Sequence, residues 1–544
     1  MAEIVLRTNL SAANFPLVSD WQGRTIIIPR FDQNFQKSAI FAGADDDRDV
    51  GIPQVFYLEN CMPTEQGFQS IGYDEALEPS TLEPNFDSLF TLRDANQNIT
   101  LWSPAGGLNY VYGSPDFTWS SISPVAGVQS STVVTSTYLK GVQYCYYGNI
   151  GAYVYDAVLQ QFTATPLTGL IPTVIKGLTS SNNYLIAWDL DSIYWSSLVD
   201  PTDFVPSLST GAGAITPSDI KGGIVVCLQI SGGFIIYTTA NAVSATYTGN
   251  VRNPWIFKEV ANSGGITSPQ QVSYEANLLQ HYALTTSGLQ KLDKNQAVVE
   301  DAQISDFLNG RTFEYWDRTL NAPVQQYLSA PMQLKLAVVA NRYLVLSYGV
   351  NALTHALVYD IPMKRWGKLK IDHVDCFTYT QPNIFGLVSY TGLINSELPY
   401  FQLEDISYTQ LLLRTESQAV PKKSIGFLRQ DGSITVLDFD LTTACDAVFM
   451  LGKYQFERTS IVTLLSVETE NTVPPGGAGS TELRVLSSLR GKVFTSNLPP
   501  RYTENEGEQI RSFFRVTAMN HSIVWLGTFN LNSLILTMLK AGAR

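Results

Sequence analysis

The pattern of hydrophobic and polar positions along the chain predicts a series of β-hairpins. Each segment has two alternating or wholly apolar strands, rich in β-branched and aromatic residues, joined by a short polar turn. The segments with this pattern are residues 89–102, 144–156, 183–197, 232–249, 281–292, 342–360 and 424–440. The first turn, Asp94–Asn98, contains Asp and Asn side chains that can bond to their own backbone and tolerate a positive φ. The expected fold class is all-β.

The spacing of the hairpins predicts a β-propeller. Through the middle of the chain, successive turns are roughly 40 to 55 residues apart, close to the length of a four-stranded propeller blade. Residues 81–440 would then form six or seven blades, with insertions near residues 296–335 and 396–420. Only residues 304–320 and 407–418 have the 3.6-residue periodicity that predicts helix.

A recurring aromatic-Asp pair supports the blade interpretation. Tyr155-Asp156, Trp188-Asp189 and Tyr359-Asp360 are each followed, six residues after the Asp, by another aromatic residue: Phe162, Trp195 and Trp366. In kelch-like blades such a pair ends one strand and anchors the turn, and the next aromatic side chain fills the space between sheets. Chance is the competing explanation, because aromatic residues make up 11% of the chain.

The two ends of the chain have different patterns. Residues 441–544 contain longer strands and predict a separate antiparallel β-sandwich. Residues 1–80 are rich in Pro, Asn, Gln and Asp and predict an extended arm or an irregular wrap over the propeller.

Charge and composition narrow the classes of function. With 35 Lys and Arg against 48 Asp and Glu, the net charge is −13, which repels nucleic acid and argues against a sequence-reading DNA-binding protein. We find no apolar run long enough for a spanning helix and no signal peptide, so we expect a soluble, unprocessed chain. The five cysteines are scattered and form no CxxC pair, which predicts neither disulfides nor a zinc site and favours synthesis in a reducing cytoplasm.

No concentrated catalytic constellation is visible in the sequence. The four histidines are His281, His355, His373 and His521, and only His373 has carboxylates nearby, Asp372 and Asp375; we expect a loop or strand-end histidine there rather than a metal ligand. The nucleophile elbow, P-loop, dinucleotide fingerprint and HExxH motifs are absent. We therefore expect no enzymatic activity, no catalytic residues, no cofactor and no metal site.

Two local motifs bear on these expectations. Asp45, Asp47 and Asp49 alternate as in a calcium loop, but Val50 and Phe56 stand where an EF-hand needs glycine and glutamate. A solvated acidic loop is favoured, and a looser cation site at Asp45–Asp49 stays open. Residues 114–121, SPDFTWSS, partly match the Asp-box turn of sialidase propellers, without the glycine before the Thr-Trp pair.

Several stretches resemble the tail nozzle proteins of short-tailed bacteriophages, also called tail hub or packaged-DNA-stabilising proteins. The resemblance begins in QVFYLENCMPTEQGFQSIGYDEAL (54–77) and strengthens at WSSLVDPTDF (195–204). It continues through GGFIIYTTANAVSATYTG (232–249), PWIFKEVANSGGITSPQQV (254–272), the pairing of ANRYLVLSYG with HALVYDIPMKRWGKL (355–369), and the closing sandwich. It covers most of the chain as hairpin and turn patterns. The insertions and the Gly-rich loop at 474–479 depart from a minimal member.

The resemblance implies a structural virion protein of the phage tail. In that family six copies form a ring below the portal and adaptor rings, with the propeller outside and the sandwich helping to close the channel. Genomic double-stranded DNA leaves through the centre without sequence-specific binding, and a needle or plug protein seals the opening; tail fibres are further expected partners.

The acidity of the chain fits this expectation. Each phosphate that a protein neutralises adds salt-dependent affinity, so a channel wall with net negative charge would let DNA slide past. The opposing hypothesis is a carbohydrate-binding or carbohydrate-cleaving propeller acting in host-surface recognition, because exposed Trp and Tyr also form sugar platforms.

Overall fold

The computed structural model describes most of the central chain and parts of both ends. The described residues are 3–9, 26–28, 55–65, 67–77, 88–93, 99–105, 108–113, 118–122, 134–274, 279–301, 304, 312–317, 319, 322–327, 333–380, 423–439, 444–456, 461–471, 481–489, 492–495, 501–503 and 509–541. Strands dominate them, so the all-β prediction is confirmed. No helix in these residues has the length and hydropathy needed to cross a membrane.

The N-terminal region contributes short strands to several sheets. They are β1 (Glu3–Asn9), β2 (Ile26–Ile28), β3 (Val55–Glu59), β4 (Cys61–Pro63), β5 (Phe68–Ser70) and β6 (Gly72–Leu77). The described parts of residues 1–80 are therefore strands that pair with distant segments of the chain.

Five antiparallel four-stranded sheets follow in chain order within the described residues. The first has β7 (Phe90–Arg93), β8 (Ile99–Ala105), β9 (Leu108–Gly113) and β10 (Thr118–Ser121), and the second has β11 (Val134–Leu139), β12 (Val142–Tyr147), β13 (Gly151–Asp156) and β14 (Gln161–Thr165). The third has β15 (Gly177–Ser181), β16 (Tyr184–Trp188), β17 (Ile193–Trp195) and β18 (Gly213–Ile215). The fourth has β19 (Ile224–Ile230), β20 (Gly233–Thr238), β21 (Ala242–Tyr247) and β22 (Trp255–Glu259). A 3-10 turn (Pro269–Gln271) precedes the fifth, which has β23 (Val272–Tyr274), β24 (His281–Thr285), β25 (Gly288–Leu292) and β26 (Ala297–Asp301).

A separate hairpin corrects one helix prediction. Strands β27 (Thr312–Asp317) and β28 (Ala322–Tyr327) pair antiparallel, so the helix expected over residues 304–320 is wrong at Thr312–Asp317. The segment TFEYWD consists mainly of β-branched and aromatic residues, which favour strand, and the Asp317 carboxylate accepts the Thr319 N–H at 2.7 Å in the turn. The other predicted helix, residues 407–418, lies outside the described residues, as does most of the insertion near 396–420.

Two further groups of four strands complete the central region. The first has β29 (Gln333–Val339), β30 (Tyr343–Gly349), β31 (Leu353–Asp360) and β32 (Arg365–His373). The second has β33 (Asp375–Thr380), β34 (Lys423–Leu428) and β35 (Ile434–Asp438), and its fourth strand is β6 from the N-terminal region. The hairpins predicted from the sequence are pairs of adjacent strands within these groups.

The C-terminal strands form two larger sheets. They are β36 (Val448–Phe456), β37 (Ile461–Asn471), β38 (Thr481–Leu489), β39 (Lys492–Thr495), β40 (Arg501–Thr503), β41 (Gln509–Ala518), β42 (Asn520–Gly527) and β43 (Asn530–Ala541). One sheet contains β36, β38, β39, β40 and β42 together with β2 and β3. The other contains β37, β41 and β43 with β1, and it continues through β5 and β4 into β32. Side chains of both sheets share one buried cluster that includes Phe449, Trp525 and Leu536.

Candidate functional site

One buried carboxylate joins the last four-stranded group to the first. Asp375, the first residue of β33, accepts the Leu89 backbone N–H at 2.7 Å and its own neighbour's N–H, from Cys376, at 2.8 Å. The Lys335 ammonium of β29 lies 2.7 Å from the same carboxylate. The side chains of Lys335 and Asp375 are only 14% and 7% exposed, so this ion pair is shielded from solvent. Three segments distant in sequence therefore meet at Asp375.

In other four-stranded groups, side-chain hydroxyls form hydrogen bonds between the first strand of one group and the first strand of a neighbouring group. Thr135 accepts the Leu178 N–H at 2.9 Å, and the Thr137 hydroxyl donates to Ser180 at 2.8 Å, which joins β11 to β15. Ser273 of β23 accepts the Val338 N–H of β29 at 2.9 Å. Three neighbouring pairs of first strands, β11–β15, β23–β29 and β29–β33, are thus joined by side-chain hydrogen bonds or an ion pair.

A polar cleft of about 650 Å³ lies beside the Lys335–Asp375 pair. Its walls come from the β30–β31 turn, the β32–β33 connection, the β34–β35 turn and the start of β29. Four side-chain amides line it: Gln270, Gln333, Asn351 and Gln430. A cavity of this size is within the range of small-ligand sites, and amide groups offer donors and acceptors together.

The charges around the cleft are largely balanced by neighbouring groups. Lys335 pairs with Asp375, and the Lys370 ammonium lies 3.8 Å from the buried Glu59 carboxylate. Burial alone would raise the pKa of Asp431, but hydrogen bonds from the Ser433 hydroxyl and N–H and the nearby Arg429 guanidinium lower that pKa overall. The cleft therefore presents paired charges rather than a concentration of one sign.

A half-buried tyrosine and a buried histidine at the cleft are held in neutral forms. The Tyr73 hydroxyl donates to the Asn60 side-chain oxygen at 2.5 Å, and burial raises the pKa of this phenol. The His373 Nδ1–H donates to the Ile371 carbonyl at 2.8 Å while the Ser347 hydroxyl donates to Nε2 at 2.7 Å. Burial lowers the pKa of His373 to about 4. His373 is the last residue of β32, with both ring nitrogens bonded within the protein.

The other histidines are also buried. The His281 Nε2–H donates to the Gln229 carbonyl at 2.8 Å, and the Tyr237 hydroxyl donates to Nδ1 at 3.0 Å. His521 contacts the Ser487 hydroxyl at 2.9 Å. Within the described residues no cluster of His, Cys, Asp or Glu has the geometry to hold a metal ion. All five cysteines are buried free thiols.

The aromatic-Asp pairs differ in their strand register. Tyr155 lies opposite Phe162, and Tyr359 lies opposite Trp366, with ring centroids 5.5 and 4.8 Å apart. Trp188 instead lies opposite Ile193, and Trp195 lies opposite Ile186. The sequence pattern shared by the three pairs therefore does not place Trp188 and Trp195 opposite each other.

In each of these turns the Asp carboxylate accepts a hydrogen bond from a backbone N–H of the turn. Asp156 accepts the Val158 N–H at 2.8 Å, and Asp189 accepts the Ser192 N–H at 2.6 Å. Asp360 accepts the Met363 N–H at 3.0 Å. The aspartate side chains thus stabilise the turns through backbone N–H groups, as Asx-turns do.

Three segments singled out in the sequence lie wholly or partly outside the described residues. The acidic segment Asp45–Asp49 and residues 114–117 of the SPDFTWSS segment lie outside the described residues, as does the Gly-rich loop at 474–479. Sequence reasoning also missed the Lys335–Asp375 junction. The available signal was a single lysine within the otherwise apolar middle of QLKLAVV, a position where a charge requires a partner.

Comparisons with known proteins leave the family open. No protein-family model matches the chain. No curated protein matches it. Among solved structures, the chain is similar to the WD40 β-propeller domain of Doa1, with 7% identity, a TM-score of 0.35 and coverage of 68% of this chain and 97% of that one. It is also similar to the extracellular domain of the putative hybrid two component system BT4673 from B. thetaiotaomicron, with 10% identity, a TM-score of 0.36 and coverage of 79% and 44%. TM-scores of this size do not establish a common fold.

Proposed function

We propose that this chain is a structural subunit of a phage tail nozzle, a homohexameric ring below the portal and adaptor that retains packaged DNA and conducts it during ejection. The proposal starts from the sequence resemblance to that family over most of the chain. Its proposed place is the virion tail, and its proposed partners are copies of itself, the adaptor and portal, tail fibre or needle proteins, and the DNA that passes through.

The proposal includes a seven-bladed propeller followed by a sandwich. In its support, each four-stranded group contacts the next through side-chain bonds or a shared apolar cluster, and Asp375 bonds to Leu89 beside the first group. Strand β6 from the N-terminal region completes the seventh group, an arrangement that would close a ring. The shared cluster around Phe449 and Trp525 supports the sandwich.

The observation that carries the proposal is the uninterrupted sheet that joins the two regions. Strand β32 of the sixth group pairs with β4, β4 pairs with β5, and β5 pairs with β43 of the C-terminal region. Strand β1 pairs with β43 from Glu3 opposite Leu539 to Asn9 opposite Ser533. Hydrogen bonds in an antiparallel ladder lie perpendicular to the strands, so a pull along the strands would load the seven β1–β43 pairs together, while the crossing itself has one residue pair between β32 and β4 and two between β5 and β43. Such a connection suits a subunit that must withstand pressurised DNA.

The described ion pairs favour weak DNA contact. Lys221, Lys335, Arg342 and Arg484 each lie within ion-pair distance of a carboxylate, which lowers their capacity to neutralise phosphates. Together with the net charge of −13, this supports a wall that DNA passes without being held.

The alternative, a carbohydrate-binding or carbohydrate-cleaving propeller acting in host-surface recognition, would draw on exposed Trp and Tyr platforms, and of the described tyrosines Tyr274 is 44% exposed. The tryptophans whose burial is described are all buried in the apolar clusters: Trp102, Trp188, Trp195, Trp255, Trp366 and Trp525. We therefore keep the structural role as the conclusion.

The decisive experiment is the mass and shape of the assembled protein. Native mass spectrometry and negative-stain images should show a six-fold ring, either alone or after purified portal and adaptor are added. A protein that stays monomeric with both partners and depolymerises a bacterial polysaccharide would refute the nozzle proposal.

A second experiment measures affinity for DNA. We expect the purified protein to bind duplex DNA weakly at physiological salt. Tight binding that weakens steeply with salt would contradict a repulsive channel wall.

A further inference from the structure

The polar cleft beside Lys335 and Asp375 is built from turns with well-defined local geometry. A side chain at Gly349 would place its Cβ 1.7 Å from the Ala352 carbonyl oxygen, so the β30–β31 turn that carries Asn351 is tightly folded. In the β34–β35 turn, Asp431 accepts both the N–H and the hydroxyl of Ser433, at 2.9 and 2.6 Å. The backbone of these turns is therefore already in place for a ligand, and the ordering cost on binding is confined to the exposed amide side chains.

Gln270 is positioned by a capped 3-10 turn. The Gln271 side chain accepts the Ser268 N–H at 3.0 Å, and the Ser268 hydroxyl accepts the Gln270 N–H at 3.3 Å. This capping box fixes the backbone from which Gln270 reaches the cleft.

The chemistry of the cleft selects against strongly charged ligands. Lys335 is already paired with Asp375, Lys370 lies near Glu59, and Arg429 acts on Asp431. Among the other charged residues that line the cleft is an acid, Asp372. A polyanion would have to displace these carboxylates from their cations, at the cost of leaving buried charge unpaired.

The lining also disfavours a peptide or an apolar ligand. Side-chain amides and paired charges dominate it, and the apolar residues Leu353 and Ile371 are themselves buried in the protein core. Amides that both donate and accept hydrogen bonds match neighbouring hydroxyl groups, each of which also donates and accepts. Sugars present such hydroxyls in closely spaced rows.

We propose that this cleft binds a neutral oligosaccharide without cleaving it. Gln333 and Asn351, which are exposed at the cleft, would bond to the sugar hydroxyls, and the paired charges behind them would orient the ligand. This activity goes beyond the nozzle proposal and does not depend on it.

The test applies the full-length protein to an array of bacterial surface oligosaccharides, with heparin and a panel of unrelated peptides as competing ligand classes. We expect binding to at least one neutral oligosaccharide, confirmed by titration calorimetry. Its affinity should change less than about twofold between low and high salt, because neutral ligands release no counterions. Preferential binding of heparin or of peptides, or no retention of any oligosaccharide, would overturn the proposal.

Variants locate the binding to the cleft. The double variant Gln333→Ala with Asn351→Ala should weaken the oligosaccharide affinity by about tenfold or more, because two hydrogen-bonding groups are lost. Both residues are exposed, so the variant should unfold at the wild-type temperature. The matched control is Gln160→Ala, an exposed glutamine in the β13–β14 turn, which should bind as wild type does. Equal affinity of the double variant and the wild type would place the ligand elsewhere and refute the cleft.

The outcome is separable from that of the ring experiment. A protein that forms the six-fold ring but retains no oligosaccharide refutes only the cleft. A monomer that binds oligosaccharide through Gln333 and Asn351 refutes only the nozzle.

Discussion

The central and C-terminal regions are both all-β, but they are assembled from pairings of different range. In residues 90–373 each four-stranded group is a meander in which consecutive strands pair, such as β19 to β22. In the C-terminal region the first strand, β1, pairs with the last, β43, and β2 and β3 both pair with β36. Local pairing follows from hairpin turns, whereas the C-terminal sheets require the ends of the chain to meet. The two regions should therefore respond differently to perturbation, unless the sheet through β4 and β5 makes them one unit.

Acidification should lower the free energy of unfolding more than any of the substitutions below. It should act first on the central region. Burial lowers the pKa of His281 and His373 to about 4 and that of His355 to about 2. A histidine in the unfolded chain has a pKa of about 6.5. Between about pH 6.5 and 4 the unfolded chain therefore binds more protons than the folded protein, and the free energy of unfolding falls as the pH falls. The slope is about 1.4 kcal/mol per pH unit for each histidine at most. Urea unfolding at a series of pH values measures it.

A variant shows whether the histidines cause this slope. His281→Gln keeps a donor for the Gln229 carbonyl and removes one titrating group, so the slope should fall by about a third. An unfolding midpoint that is unchanged from neutral pH to about pH 5 in the wild-type protein would contradict the expectation.

Core truncations test whether the regions unfold together. Trp188 of the central region and Trp525 of the C-terminal region are each 1% exposed. Trp188→Ala and Trp525→Ala should each lower the free energy of unfolding by about 3 to 5 kcal/mol. If the joining sheet couples the regions, calorimetry should show one transition that both variants shift. Two transitions, each shifted by one variant alone, would show that the regions are independent.

Breaking the Lys335–Asp375 pair should be costly because the pair is shielded. Lys335→Met leaves the Asp375 carboxylate with its two backbone N–H bonds but no cation, and we expect a loss of about 2 to 3 kcal/mol in chemical denaturation. Lys221→Met is the matched control. Lys221 pairs with Glu259 at 2.8 Å, but the side chains are 63% and 39% exposed, so the loss should be below about 1 kcal/mol. Equal losses in the two variants would mean that burial of the Lys335–Asp375 pair does not increase its contribution to stability.

The crossing between the regions can be strained at Gly367. A Cβ there would lie 2.6 Å from the Cys61 carbonyl oxygen and 2.6 Å from the Met62 sulfur, where β32 meets β4. Gly367→Ala should cost about 1 to 3 kcal/mol and separate the unfolding of the two regions into two transitions. Gly233→Ala is the comparison, because its Cβ would meet the Ala245 carbonyl oxygen at 2.0 Å inside one sheet. It should destabilise the protein without separating the transitions, and splitting in both variants would contradict the role of the crossing.

The local pairings could be predicted from the sequence, and the long-range ones could not. Alternating apolar runs around short polar turns predicted hairpins such as β20–β21, because register and turn are encoded in neighbouring residues. Nothing in the segment GYDEAL shows that it completes a sheet with Ile434–Asp438, since that pairing is fixed by the closure of the whole assembly. The helix expected around Phe313 failed for a related reason: its apolar spacing suited both periods, and pairing with β28 decided between them.

The cleft shows the same division. Its residues are common polar types on separate turns, and only the fold brings Gln333, Asn351 and Gln430 together. Of its buried groups, His373 was expected at a loop or strand end, and it is the last residue of β32. The lysine within QLKLAVV indicates that Lys335 needs a partner, but neither segment alone identifies Asp375 as that partner, because the pair joins two strands that are distant in sequence.

The smallest expected losses of stability come from removing the Asp side chain in two of the aromatic-Asp turns, and the two losses should differ. Asp156 accepts the Val158 and Leu159 N–H groups at 2.8 and 3.1 Å, so Asp156→Ala should cost about 1 kcal/mol. Asp189 also accepts the Tyr194 hydroxyl at 2.7 Å, besides its bonds within the turn, and Asp189→Ala should cost about 2 kcal/mol. Asp156→Asn retains an acceptor oxygen and serves as the control in the same thermal unfolding series. If Asp156→Asn were as destabilising as Asp156→Ala, the turn would depend on the charge rather than on its hydrogen bonds. In that case the shared Asp in these turns would reflect the acidity of the surface instead of local backbone geometry.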